Sequence, residues 1–144
     1  MKHFLSIICI LFSLVSNAQE WHTDINQAKK IAKSENKNIV LVFQGGDWCI
    51  PCMKLDKEVW NTETFKTSAK EDFVMLLANF PRKNKNKLSA QQQEANAKLF
   101  ERYNQEGFFP LVVIMNSEGK VLGKTGYKKL SAKKYIEHLQ SFKS

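Results

Sequence analysis

The stretch Ile39-Val40-Leu41-Val42-Phe43-Gln44-Gly45-Gly46-Asp47-Trp48-Cys49-Ile50-Pro51-Cys52 sets the organisation of this chain. Residues 39–43 are an unbroken run of β-branched, aliphatic and aromatic side chains, the pattern of a strand buried on both faces. Gly45-Gly46 ends the strand in a turn. Pro51, whose fixed φ suits the first helical turn, opens a helix in which Cys52, Leu55 and Val59 recur at i, i+3 and i+7 and form an inward stripe. Cys49 therefore stands where a strand gives way to a helix. Asp47, just ahead of that helix, is assigned a capping role.

Outward from this segment, helices and strands alternate. Thr23 or Asp24 caps a helix carrying Ile25, Ala28, Ile31 and Ala32, broken over 34–38. Residues 61–70 continue as a second short helix, 73–80 form another apolar strand closed by Pro81, and 82–87 are a basic, Asn-rich, solvated loop. Ser89 restarts helix, with Ala95, Leu99 and Tyr103 on its apolar side and Phe100 beside them, until Gly107. Residues 111–115 and 120–122 are antiparallel strands around the turn Asn116-Ser117-Glu118-Gly119. Ser131 caps a last helix that turns Tyr135, Ile136 and Leu139 inward and Lys133, Lys134 and Glu137 to water. Such alternation implies crossovers and an α/β fold, a mixed central sheet covered on both faces.

The 144 residues suffice for one domain, and 43% hydrophobic content with 6 Gly and 3 Pro excludes collagen-like, low-complexity and disordered classes. A net charge of +8 raises the question of an anionic partner. Nucleic acid is not expected, because no aromatic residue is interleaved among Lys83, Lys85 and Lys87. At the N-terminus, Lys2 and His3 precede an apolar run over 4–15 followed by Ser16-Asn17-Ala18, with a small residue at each end of a cleavage tripeptide. The run is shorter than the roughly 20 residues of a spanning helix. Residues 1–18 are thus expected to be a signal peptide cleaved near Ala18/Gln19, leaving 19–144 as one secreted, periplasmic domain. Cys9 sits in mid-run behind bulky Ile7 and Ile8, which argues against a lipid anchor.

Removing the leader leaves Cys49 and Cys52, a pair able to cycle through a disulfide outside the cytosol. At a helix start, unpaired amides and the positive end of the macrodipole favour the Cys49 thiolate. A free cysteine of pKa near 8.5 is ionised by only a few per cent at pH 7, and a fall to about 7 ionises about half. Cys49 is the expected nucleophile, and Cys52, one turn later, the thiol that resolves the mixed disulfide. Ile50 offers the sulfur neither charge nor hydrogen bond, which points to a reducing pair. Tetrahedral zinc needs four ligands, and the histidines His22 and His138 are remote in sequence, so no metal site is expected. Trp21 and Trp60 read as packing residues.

With Phe109-Pro110 opening a later strand, the Trp48-Cys49-Ile50-Pro51-Cys52 segment after its buried strand resembles the thioredoxin-like family, especially secreted bacterial members, over residues 25–142. The resemblance implies a three-layer fold with a central mixed sheet of about four strands. It implies a cis proline at Pro110 against the cysteines, substrate contact by Trp48, Phe109 and Pro110, and a matching glycine at Gly126. Phe43 occupies the position, six before the first cysteine, where thioredoxins proper carry a buried Asp, with Val42 beside it. Deprotonation of Cys52 must then use another group or water. The implied function is reduction of protein or peptide disulfides by a Cys49/Cys52 cycle, in a monomer without a cofactor, resupplied by a membrane thiol-reductant donor. Disulfide oxidation or isomerisation is the first alternative, and a metal- or peptide-binding module without turnover the second.

Overall fold

The computed structural model describes residues 19–143. The leader expected over 1–18, Cys9 included, lies outside the described residues. The elements run β1 (Trp21–His22), α1 (Ile25–Glu35), β2 (Asn38–Gln44), α2 (Ile50–Leu55), a π-helical turn (Asp56–Trp60), α3 (Glu63–Asp72), β3 (Phe73–Asn79), a 3-10 turn (Asn84–Asn86), α4 (Ala90–Tyr103), β4 (Leu111–Met115), β5 (Val121–Thr125) and α5 (Ala132–Gln140). Side-chain oxygens of Asp24, Thr62, Ser89 and Ser131 cap α1, α3, α4 and α5.

Five strands form one sheet in the order β1-β3-β2-β4-β5. The pairs β1/β3 and β2/β3 are parallel, whereas β2/β4 and β4/β5 are antiparallel. The strand beyond the expected four is β1, which pairs Trp21 with Met75 and His22 with Leu76. Two residues cannot display an alternating pattern, so nothing in the sequence marks them as strand. At the opposite edge β5 runs to Thr125, past the apolar residues, because ladder bonds to β4 continue through Gly123 and Lys124.

Alternation along the central strands divides the core into two layers. Ile39, Leu41 and Phe43 of β2 pack with Ala28 and Ala32 of α1 and with Leu99 and Tyr103 of α4. Val40 and Val42 pack with Leu55, Val59 and Trp60, with Phe65 of α3 and with Tyr135, Ile136 and Leu139 of α5. On α4 the third buried position is Asn96, whereas Ala95 is half-buried. The Asn96 amide is satisfied: Nδ2 donates to the Asn79 carbonyl at 2.9 Å and Oδ1 accepts from Gln92 at 2.9 Å. A polar side chain on the inward stripe thus holds α4 against the end of β3.

Candidate active site

The turn after β2 builds the site. The Gly45 carbonyl accepts from the amides of Trp48 at 3.2 Å and Cys49 at 2.8 Å, which folds the chain back and delivers Cys49 as the residue preceding α2. A side chain at Gly45 would overlap the Trp48 indole, so the close approach needs glycine. Cys49 and Cys52 form a disulfide, with Cα atoms 5.2 Å apart. They are 4% and 1% exposed, so the pair meets solvent through a narrow window at Cys49. The Cys52 amide donates to the Cys49 sulfur at 3.3 Å, and Cys49 itself is the N-cap of α2.

Asp47 does not cap α2. Its carboxylate accepts from the amides of Arg82 at 2.9 Å and Lys83 at 3.0 Å and from the Asn86 side chain at 2.9 Å. Those donors, the Arg82 amide first, hold its pKa at about 2 from an ordinary 3.8. The depressed value means that the clamp stabilises above the unfolded pKa, near 4, and is lost as pH falls towards 2. Protection of the Arg82 and Lys83 amides, measured by NMR as exchange relative to the free-chain rate at each pH, should fall before that of the central strands. Simultaneous opening would show that the clamp is not the weak point.

The other expected site residues gather around the pair. The Trp48 ring lies 5.3 Å from that of Phe109, and its Nε1–H donates to the Phe80 carbonyl at 2.7 Å. The Phe109–Pro110 peptide is cis. Gly126 passes so close that a side chain there would meet the Pro110 carbonyl at 3.3 Å. Pro51, Phe108, Phe109, Pro110, Gly126 and Tyr127 line a groove of about 460 Å³ beside the helix start. Of the four large apolar side chains exposed among the described residues, Ile50, Met53 and Phe108 belong to α2 or to the segment entering Pro110. Such a patch suits contact with a peptide. Lys54 and Lys57 point to water.

Three contributors escaped the sequence. Asn104, 1% exposed, donates to the Phe108 carbonyl and accepts from the amides of Gly107 and Phe108, shaping the segment that presents Phe109 and Pro110. The spacing Asn-x-x-Gly at a helix end was its one available signal. The Tyr127 hydroxyl donates to Glu58 at 2.7 Å, tying the segment after β5 to the π-helical turn, and this bond first of all raises the Tyr127 pKa. Asp56, half-buried one turn beyond Cys52, sends its own amide to the Cys52 carbonyl. Burial raises its carboxyl pKa above 3.8, and the carboxylate has no hydrogen-bond donor among the described residues. Phe43 and Val42 are fully buried, and neither position carries an acid. Among the described residues no three His, Cys, Asp or Glu side chains converge as a metal site.

A family model described as thioredoxin-like matches residues 20–117. Disulfide bond reductase DsbH of Chlamydia pneumoniae is 30% identical over 115 residues, covering 80% of this chain and 68% of the relative. A solved structure of a DsbH oxidoreductase superposes with a TM-score of 0.78 at 29% identity, over 86% of this chain and 83% of the other. Thioredoxin-related protein DsbJ of the same organism is 24% identical over 111 residues, 77% of this chain but 31% of its own length. The chain belongs to the thioredoxin-like family and is a thiol-disulfide oxidoreductase, in which Cys49 and Cys52 are joined as a disulfide.

Proposed function

We propose that the protein is a secreted, periplasmic reductase of protein disulfides. The observation that carries the thiol-disulfide chemistry is the Cys52 amide directed at the Cys49 sulfur at the head of α2, where the reduced pair would hold a thiolate. The Cys49 thiolate attacks one sulfur of a substrate disulfide. A Cys49–substrate bond forms, and the other substrate sulfur leaves as thiolate and takes a proton from water. Cys52, deprotonated, then attacks the Cys49 sulfur; the intramolecular disulfide forms and the second substrate thiol departs. The substrate gains two electrons and the protein loses them, to be restored by a membrane thiol donor. Trp48, Phe109 and Pro110 hold the extended substrate across the window at Cys49. The direction is supported by the reductase name of the 30% identical relative and by apolar Ile50 between the cysteines.

The direction is tested by equilibrating the Cys49/Cys52 pair with glutathione. A potential below about −200 mV fits a reductant, and one near −120 mV would make the protein an oxidant. Asp56, one turn beyond Cys52 on the same helical run, is the carboxyl assigned here to take the Cys52 proton, in place of the acid missing at Phe43. Its raised pKa means that the neutral form is favoured by folding, so its charge destabilises progressively as pH rises from about 4. Asp56→Asn is expected to lengthen the life of the mixed disulfide about tenfold at pH 7, a modest share of a general-base effect. The same variant should raise Tm by roughly 1–2 °C, a gain that vanishes below pH 4. Unchanged resolution kinetics would leave water as the acceptor.

A further inference from the structure

We propose that the cleft between the 81–88 segment and α4 docks an acidic segment of the disulfide-bearing protein on which Cys49 acts. The proposal rests on the reductase function above and adds a substrate class to it. The segment Pro81-Arg82-Lys83-Asn84-Lys85-Asn86-Lys87-Leu88 carries four cations and no acid. It is fixed to the active-site turn rather than free in solvent. Asp47, two residues before Cys49, accepts three hydrogen bonds from Arg82, Lys83 and Asn86. The Arg82 guanidinium lies over the Trp48 ring at 3.8 Å, and Asn79 Oδ1 accepts from the Gly46 amide at 3.0 Å.

Between this segment and α4 lies a cleft of about 420 Å³, lined by Arg82, Lys83 and Lys87 together with amide side chains such as Gln93 and Asn96, and no carboxylate is in its wall. A second hollow shares Phe80, Pro81, Arg82 and Ala97 with it and reaches Trp48 and Phe109. A continuous path therefore leads from the aromatic pair beside Cys49, past Arg82, to the two lysines. Glu101 on the α4 side of the second hollow disfavours acids there and directs them beyond Arg82. The positive charge of this cleft, continuous with the hollow beside Trp48, selects negative charge in the chain that flanks the target disulfide. Once Cys49 has captured a substrate sulfur, the flanking segment is tethered, and weak contacts gain from the high local concentration.

The test compares two peptides with the same disulfide loop, one flanked by Asp and Glu and the other by Ser and Gly. Single turnovers use reduced wild type and the Lys83→Ser/Lys87→Ser variant. Wild type should react about tenfold faster with the acidic peptide at low salt, and the advantage should fade in roughly 0.5 M NaCl. The double variant should lose the preference and keep its rate on the neutral peptide. Lys133→Ser/Lys134→Ser on exposed α5 removes the same charge elsewhere and should keep it. Equal rates in wild type, or the same loss in both double variants, would overturn the proposal while continued reduction of the neutral peptide leaves the reductase function standing. If neither peptide is reduced, that function fails, and docking is read separately from the anisotropy of labelled, cysteine-free versions binding to oxidised protein. Tighter acidic binding that depends on Lys83 and Lys87 supports docking, and equal binding refutes it.

Discussion

Cys49→Ser should abolish insulin reduction, by more than about 1000-fold, the scale on which losing a covalent nucleophile acts. Cys52→Ser should fail differently. It leaves the Cys49 sulfur at the window and keeps the residue 52 amide directed at it, so capture of substrate continues. Resolution stops, because Cys52 is the thiol linked to Cys49 in the intramolecular disulfide. The variant should therefore accumulate a mixed disulfide with its clients, visible as an adduct that dithiothreitol releases, while turnover falls as far as in Cys49→Ser. The asymmetry distinguishes nucleophile from resolver, since exposures of 4% and 1% alone barely separate the two sulfurs. Adducts on Cys49→Ser instead would reverse the roles, and wild-type turnover by that variant would remove the enzymatic function altogether. Alkylation of reduced protein across a pH series adds the cause: residue 49 should react faster at neutral pH than a free cysteine, as amide donation to its sulfur requires.

The parts of this site that can be read along the chain are those that are local in it. Cys49, Cys52, Trp48 and the glycines of the turn fall within eight consecutive residues, where spacing alone places one sulfur at a helix start and the other a turn later. The two-faced burial of β2 was equally legible, because a short, fully apolar run bounded by a turn is stable only where both of its faces are covered. Pro110 and Phe109 lie far along the chain, and only family resemblance joined them to the cysteines. What could not be read depends on partners remote in sequence. Asp47 has the short acidic side chain and the position of a helix cap, yet its donors are 35 to 39 residues away, and no pattern specifies that meeting. Asn96 likewise violates the apolar stripe of α4 because a carbonyl 17 residues earlier needs its amide. Local chemistry proposes such residues for caps or for the surface, and tertiary contact reassigns them.

Trp60→Ala should cost about 3–5 kcal/mol, the usual range for truncating a buried aromatic side chain. Trp60 is 2% exposed in the π-helical turn behind the redox pair. Its ring meets Phe65 at 4.7 Å, Tyr135 at 5.5 Å and Trp21 at 5.8 Å, all edge-on, so one side chain joins the active-site helix to α3, α5 and the edge strand β1. Against a total stability of roughly 5–15 kcal/mol the loss is severe, and a thermal midpoint should fall by more than about 10 °C. Trp60→Phe should cost much less, because the lost volume is offset in part by removing the indole N–H, which is buried without an acceptor among the described residues. A loss under about 1 kcal/mol for alanine would mean that the sheet alone holds the helix. Measuring both variants oxidised and reduced extends the test to function, since by linkage any difference between the two losses must appear in the potential, about 30 mV for each ~1.4 kcal/mol. Trp60 stands at the end of the helical run opposite Cys49, so equal losses and an unmoved potential are expected. Unequal losses would mean that the aromatic cluster distinguishes the two redox states and takes part in setting how readily Cys49 gives up its electrons.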